Sequence, residues 1–131
     1  MSKVKNALSI HLETGKQGET HAAAFLEKKG WRIVERNWQA RRGEIDIIAW
    51  ENDKLLVFVE VKTRSGEGFG GPESAVNAHK QAMLSRTAGL YMESINYEWE
   101  IRFDTIAVIM RDGRLKDLRH VQDVFFPTPS T

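Results

Sequence analysis

The stretch GEIDIIAWENDKLLVFVEVKTR, residues 43–64, sets two acids and a lysine among residues typical of buried strands. GEIDIIAW (43–50) and LLVFVEVK (55–62) are rich in β-branched and aromatic residues, and the polar segment between them is a turn signal. The pattern predicts a β-hairpin. Burying unpaired charges costs several kcal/mol. We therefore expect Asp46, Glu60 and Lys62 to have a compensating role.

Side chains alternate between the two faces of a strand, so Glu60 and Lys62 are expected to share one face. The same alternation predicts a common face for Asp46 and three neighbours in its own strand, namely Glu44, Ile48 and Trp50. A turn over residues 52–54, with Glu51 opposite Leu55, pairs Asp46 directly with Glu60.

Directly paired residues have Cβ atoms about 4.5–5.5 Å apart, and two carboxylates at that distance repel each other. A divalent cation between Asp46 and Glu60 removes the repulsion. Two carboxylates, the backbone carbonyl of Val61 and waters suit Mg²⁺, with Mn²⁺ as a possible substitute. Lys62 can then orient or deprotonate a water, or stabilise charge on a phosphate. Two carboxylates, a divalent cation and a lysine together predict metal-assisted phosphodiester hydrolysis.

The remaining elements extend this hairpin into an α/β fold of order α-β-β-β-α-β-β, a mixed central sheet flanked by helices. Helix formers over 15–29, closed by Gly30, predict the first helix. Asn77 is expected to cap a helix from Ala78 to Ser94. The other predicted elements are strands over 31–38, 99–110 and 114–121, a glycine-rich loop over 65–72, and a hairpin turn at Asp112-Gly113. The strands before and after the second helix are expected to lie parallel.

The bulk properties favour one domain over residues 1–131, with flexible ends at 1–13 and 127–131. Zero cysteines exclude disulfides and thiolate metal sites. With no signal-peptide core and no run of about 20 apolar residues, we expect a cytoplasmic protein. The four histidines lack the spacing of a zinc site, and no nucleotide-binding or serine-hydrolase motif occurs.

Charge is distributed unevenly along the chain. Residues 1–42 hold nine Lys/Arg against four Asp/Glu, whereas residues 43–60 hold five acids against one lysine. An acidic site within a basic surface suits a metal centre that meets a polyanion. The alternative is that the uneven charge has no functional meaning and that different solvent-exposed faces simply carry different charges.

Two helical residues are further candidates for the site. Glu19 lies on the stripe of Ala22, Ala23 and Leu26, so it is expected to point toward the sheet. The alternative is a favourable interaction of Glu19 with the helix dipole. Gln81, three residues before Leu84, can hydrogen bond a water or a phosphate, and the alternative for it is an ordinary surface position.

Five cations are candidates for binding nucleic acid, although each is individually a common surface residue: Arg41, Arg42, Arg64, Lys80 and Arg86. The tryptophans are more typical of core or rim packing than of base stacking.

Asp46 and Glu60-Val61-Lys62, in an α-β-β-β-α-β frame, resemble the PD-(D/E)xK restriction-endonuclease-like superfamily. More closely, GETHAAAFLEKKGWRIVERNW, GEIDIIA, LLVFVEVKTR, FG and RFD resemble the small bacterial YraN-type family of predicted endonucleases, which is similar to archaeal Holliday junction resolvases. The resemblance spans residues 14–126. It implies metal ligation by Asp46 and Glu60, Lys62 as catalytic lysine, Glu19 as helix-one acid and Gln81 as the polar position of the second helix. Ile45 replaces the proline of the signature.

Three functions follow as hypotheses. The first is a Mg²⁺-dependent nuclease acting on DNA, with branched or junction DNA as the candidate substrate and a homodimer as the candidate assembly, because cutting two strands takes two sites. The second is a catalytically inactive nucleic-acid-binding module of the same fold. The third is a protein-interaction domain in which the acids are structural.

Overall fold

The computed structural model describes residues 3–65 and 77–125, with side chains from residue 14 onward. The elements are α1 (Lys3–Lys28), β1 (Arg32–Ala40), β2 (Gly43–Asn52), β3 (Leu55–Ser65), α2 (Ala78–Ser94), β4 (Ile101–Arg111) and β5 (Arg114–Val121). The predicted class and element order are confirmed. Most of the predicted glycine-rich loop (66–72) and the predicted flexible C-terminal end (127–131) lie outside the described residues, as do the side chains of 3–13.

The five strands form one sheet in the order β1-β2-β3-β4-β5. β3 and β4 are parallel, as predicted, and the other neighbouring pairs are antiparallel. Across the described residues, no helix combines the length and apolar character needed to cross a bilayer.

Each face of the sheet carries its own hydrophobic core beneath one helix. On one face, Ala22 and Leu26 of α1 pack with Val57 and Val59 of β3. On the other face, Leu84 of α2 lies in one cluster with strand residues that include Ile48, Phe58 and Phe103. β3 is therefore buried on both sides, which is why its sequence reads as a nearly continuous apolar run.

The helix ends follow from their capping residues. Gly30 has a φ of +94°, and its N–H donates to Glu27 O while the N–H of Trp31 donates to Leu26 O, which closes α1. α1 begins at Lys3, earlier than the predicted residue 15. α2 has the predicted bounds, and Asn77 Oδ1 accepts the N–H of Lys80 at 2.8 Å.

The β2–β3 turn differs from the prediction. Asn52, not Glu51, lies opposite Leu55, so the turn has two residues and a bulge falls between Trp50 and Asn52. Asn52 Oδ1 accepts the N–H of Lys54 at 2.8 Å, which stabilises the tight turn. Beyond the bulge, the pairs from Trp50–Leu56 to Ile47–Val59 have the predicted register.

In β1 and β2, the alternation of side chains between the two faces of the sheet is interrupted at the same level. A regular strand pattern does not predict this interruption. Arg36 contacts α1 through Thr20, whereas Trp38, two residues later, packs against Tyr91 of α2 at 5.1 Å between ring centroids. Between them Asn37 has a φ of +53°. On β2, Ile47 lies in the α1 core whereas Ile45 lies in the α2 core, with Asp46 between them.

The predicted common face of Asp46, Glu44, Ile48 and Trp50 is therefore wrong for Glu44. Ile45, not Glu44, points to the α2 side with Ile48 and Trp50, and the backbone of Gly43 approaches Thr87 of α2. The left-handed backbone at Asn37 interrupts the regular alternation of side chains between the two faces of β1. Asp46 lies opposite Asn37, and the alternation along β2 changes there as well.

Candidate active site

Asp46 lies where β2 and β3 stop pairing in the ordinary way. The ladder between these strands runs from Asn52–Leu55 to Ile47–Val59. At the next position, Asp46 Oδ2 accepts the N–H of Val61 at 2.7 Å. The expected direct pairing of Asp46 with Glu60 is thus replaced by a bond from side chain to backbone.

The surroundings of Asp46 are unfavourable to its charge. Burial raises its pKa to about 7, the N–H of Val61 opposes that rise, and the negative charges of Glu19, Glu60 and Glu44 add to it. Asp46 therefore lies within electrostatic range of both other predicted site acids, Glu19 and Glu60.

Glu60 is largely buried on the α2 face of β3. Lys80 Nζ lies 3.1 Å from Glu60 Oε2, close enough for an ion pair. The geometry is nevertheless not that of a hydrogen bond, and Glu60 Oε2 is a buried oxygen with no hydrogen-bond partner among the described residues. Lys80, predicted as one of the nucleic-acid-binding cations, thus lies beside the candidate metal ligand Glu60.

Thr105 of β4 is the register neighbour of Glu60 and is 1% exposed. Its hydroxyl oxygen also has no hydrogen-bond partner in the described part of the chain. Sequence reasoning missed Thr105, because a threonine in an apolar strand carries no signal of its own. These two buried oxygens, on neighbouring strands, keep hydrogen-bonding capacity that a further ligand or a water would use.

Glu19 of α1 reaches the site from the other face of the sheet. Its side chain is 19% exposed, and Oε1 lies 4.0 Å from Arg36 Nη2. The preceding residue, Gly18, approaches Thr63 of β3 so closely that a Cβ would overlap the threonine hydroxyl. This close approach sets the height of Glu19 above the sheet.

Lys62 and Gln81 are both half-buried. Lys62 follows Glu60 by two residues and shares its face of β3, as predicted. Gln81 lies in the first turn of α2, directly after Lys80, and its N–H donates to Asn77 O at 2.9 Å.

The other predicted cations occupy exposed positions. Arg41 and Arg42 form the turn between β1 and β2, and Arg86 lies on α2. Arg64, near the end of β3, donates to Thr63 O at 3.2 Å.

The acids suit a hard cation in chemistry although they do not form a large ligand cluster. Among the described residues, no three His, Asp, Glu or Cys side chains converge closely enough to hold one ion. Asp46, Glu60 and the carbonyl of Val61 supply the oxygen donors that Mg²⁺ accepts while it keeps several waters. The unsatisfied Glu60 Oε2 and the crowded negative charge around Asp46 both favour an added cation.

A second carboxylate centre, absent from the sequence predictions, lies around Asp104 on β4. Arg102 Nε and Nη2 donate to its two oxygens at 2.7 and 2.8 Å, and the N–H of Asp123 donates at 3.0 Å. His120 Nε2 lies 2.8 Å from Oδ2. Burial raises the pKa of Asp104, but the hydrogen bonds from Arg102, His120 and Asp123 outweigh burial and hold it below its ordinary value.

The hydrogen-bond partners of Asp104 tie several elements together. Arg102 Nη2 also donates to Glu51 of β2 at 2.8 Å. Lys29 Nζ lies 3.2 Å from His120 Nδ1, and because an ammonium only donates, His120 Nε2 carries the proton given to Asp104. The alternation Arg-x-Asp in β4 was the signal available in the sequence. Both oxygens of Asp104 are hydrogen bonded, and these contacts connect β4 to β2 and β5, which stabilises the sheet.

Comparison with known proteins identifies related sequences over most of the chain. The family model of the Uncharacterised protein family UPF0102 matches residues 18–108. A UPF0102 protein of Rhodococcus jostii is 42% identical over 119 residues, covering 90% of this chain and 100% of the relative. UPF0102 proteins of Syntrophomonas wolfei and Prosthecochloris aestuarii are 43% and 46% identical, covering 88% and 87% of this chain and 100% and 94% of those relatives.

Proposed function

This chain belongs to the Uncharacterised protein family UPF0102, and we propose that it is a Mg²⁺-dependent endonuclease acting on DNA. The observation that carries the proposal is the pair of acids at the point where β2 and β3 part. Asp46 has a pKa raised to about 7, and Glu60 holds a buried oxygen without a hydrogen-bond partner. Both features oppose folding and both are relieved by a divalent cation.

The proposal includes membership of the restriction-endonuclease-like PD-(D/E)xK superfamily, with a likeness to archaeal Holliday junction resolvases. The supporting features are the α-β-β-β-α-β-β order and the spacing of Asp46, Glu60 and Lys62 along β2 and β3. Branched or junction DNA is the proposed substrate class, a homodimer the proposed assembly and the cytoplasm the proposed location.

Each site residue has a proposed role in hydrolysis. Asp46, Glu60 and the carbonyl of Val61 hold the cation, which when bound supplies an acidified water and neutralises charge on the phosphate. Lys62 orients the attacking water or stabilises the developing phosphate charge. Glu19 and Gln81 position the cation's waters or the phosphate from α1 and α2.

Lys80 acts as a substitute cation before the metal binds. Its ammonium group faces Glu60 Oε2 at 3.1 Å, where it partly offsets the carboxylate charge. With a divalent cation on Glu60, the like charge would weaken the ion pair of Lys80 with Glu60, and Lys80 would be available to contact a phosphate of the substrate. Asp46 must lose its proton for the cation to bind, so metal affinity is expected to rise as the pH increases toward and beyond 7.

The test is a cleavage assay on linear, flapped and four-way-junction DNA with Mg²⁺, Mn²⁺ or EDTA. We expect cleavage that EDTA abolishes and that Asp46→Asn and Glu60→Gln each reduce by about 100-fold or more. Glu27→Gln is the matched control, because Glu27 is exposed on α1 and its charge is not among those that raise the pKa of Asp46. Absence of metal-dependent cleavage, or full cleavage by Asp46→Asn, overturns the proposal.

A second candidate is a nucleic-acid-binding module without catalysis. The observation that favours it is Lys80, which already stands beside Glu60 where a catalytic cation would bind. This candidate predicts salt-dependent DNA binding in EDTA that Glu60→Gln leaves unchanged, together with no cleavage in Mg²⁺ or Mn²⁺.

A further inference from the structure

The protein builds the same tight turn twice with different residues. Two-residue hairpin turns join Ala40 to Gly43 and Arg111 to Arg114. All four turn residues have positive φ, at +45° and +68° for Arg41-Arg42 and +51° and +74° for Asp112-Gly113. Positive φ at both central residues is the signature of a type I′ turn.

The two turns differ in how well their residues suit that backbone. Asp-Gly is a preferred type I′ pair, because glycine has no Cβ and aspartate tolerates the left-handed region. Arginine has a Cβ and no short polar group to stabilise that conformation locally, so Arg41 and Arg42 each cost folding free energy. The requirements of the turn therefore do not account for the pair.

The strained turn leads directly into β2, the strand that carries Asp46. From Gly43 the chain reaches Asp46 in three residues, a distance of about 10 Å along a strand. Gly43 itself presses against Thr87 of α2 so closely that a Cβ would overlap the threonine hydroxyl. The base of the hairpin is thus fixed against α2, while an open cavity of about 420 Å³ is lined by the hairpin residues 39–44.

We infer that the Arg41-Arg42 turn is a rigid phosphate clamp that grips the DNA backbone next to the scissile position. The inference rests on the proposed function, since it takes nucleic acid as the substrate. Guanidinium groups bind phosphate oxygens in a bidentate manner, and a fixed turn presents them with little loss of entropy on binding. Both side chains are exposed at the tip, so they reach a ligand without rearrangement.

The decisive variant is Arg41→Asn with Arg42→Gly, which installs a favoured turn sequence in place of the strained one. We expect its Tm to rise by several degrees. We also expect its affinity for four-way-junction and duplex DNA, measured in EDTA at fixed salt, to fall about 10-fold or more. The slope of log affinity against log salt is expected to decrease by up to about 2, one for each lost phosphate contact.

Two control variants separate the turn from general charge. Arg114→Gln with Lys116→Gln removes the same charge from exposed positions of β5 and is expected to change affinity less than threefold. Arg41→Lys with Arg42→Lys keeps the charge but loses the planar fork, so it is expected to give an intermediate affinity.

Equal losses of affinity in the Asn-Gly variant and the β5 control overturn the inference, as does a lower Tm of the Asn-Gly variant. Because binding is measured in EDTA, the result is independent of catalysis. Cleavage that does not depend on the turn overturns this inference alone. Turn-dependent binding without any metal-dependent cleavage overturns the nuclease proposal alone.

Discussion

Asp46 and Asp104 are aspartates in strands on either side of β3, yet their surroundings have opposite character. Asp104 accepts hydrogen bonds from Arg102, His120 and a backbone N–H, and its pKa is lowered. Asp46 accepts one backbone N–H and is crowded by three glutamates, and its pKa is raised to about 7. Burial raises the pKa of both residues, so the hydrogen bonds and neighbouring charges decide whether a carboxylate supports the fold or opposes it.

The two centres differ in how well their buried polar atoms are hydrogen bonded. The Asp104 centre links β4 to β2 through Glu51 and to β5 through His120. The Asp46 centre includes two buried oxygens, on Glu60 and Thr105, that have no hydrogen-bond partner among the described residues, although Lys80 forms an ion pair with that of Glu60. Native proteins satisfy nearly all buried polar groups, so this clustering is the kind of exception that accompanies a function.

Asp104→Ala should cause the largest loss of stability. Its removal leaves the mostly buried guanidinium of Arg102 short of its main counter-charge, and breaking such a pair costs about 3–5 kcal/mol. Urea unfolding followed by circular dichroism measures this. Asp117→Ala on β5 is the control, since its ion pair with Arg119 is exposed and is worth about 1 kcal/mol or less. Similar losses in the two variants would contradict the assigned role of Asp104.

Asp46→Asn should stabilise the metal-free protein at pH 8. The folded-state pKa is raised, so between pH 4 and 7 the folded protein holds a proton that the unfolded chain releases, and stability falls as the pH rises through that window. The full loss amounts to up to about 4 kcal/mol, which the amide avoids. Unfolding measured from pH 4 to 8 should show a falling stability in the wild type and a flatter profile in the variant. A wild-type profile that rises over this range would refute the crowded-acid description.

A divalent cation should remove that penalty. At pH 8, Mg²⁺ or Mn²⁺ at 100 times its dissociation constant is expected to stabilise the protein by about 2.7 kcal/mol. The effect should shrink at pH 5.5, where Asp46 holds its proton, and in Glu60→Gln. Thermal unfolding with and without metal measures it, with the exposed Glu27→Gln expected to respond as the wild type does. An equal response of Glu60→Gln would place the cation elsewhere.

Thr105→Val should have the smallest effect. The hydroxyl has no hydrogen-bond partner among the described residues, so its replacement by a methyl of similar shape should be neutral or stabilising by less than about 1 kcal/mol. Thr87→Val is the matched control on α2, because Thr87 Oγ1 donates to Met83 O at 2.8 Å and its loss should cost about 1 kcal/mol. Urea unfolding of both variants in EDTA compares them. A larger loss for Thr105→Val would show that its hydroxyl is already satisfied.

The sequence was sufficient for the elements and their order because hydrophobic alternation, turn residues and helix caps act locally. It also predicted the register of Ile47 with Val59, since one buried face on each strand excludes a slip. The face change at Asn37 and Asp46 escaped prediction, because a single residue with positive φ leaves no periodic trace.

The site was only partly predictable for a different reason. Asp46, Glu60 and Lys62 were found because charges stand out in a strand buried on both faces. The pairing of Lys80 with Glu60 and the assembly around Asp104 depend on contacts between residues distant in sequence. No local pattern reports such contacts, so they required the folded structure.

The two close approaches of glycine to threonine fix how near each helix lies to the sheet. Gly18 rests on Thr63 beneath α1, and Gly43 rests on Thr87 beneath α2. Each contact is possible because glycine lacks a Cβ. Replacing either glycine with alanine would therefore shift one helix relative to the sheet, while every reactive group stays chemically the same. The distance of each helix from the sheet is thereby adjustable in increments of a single carbon atom.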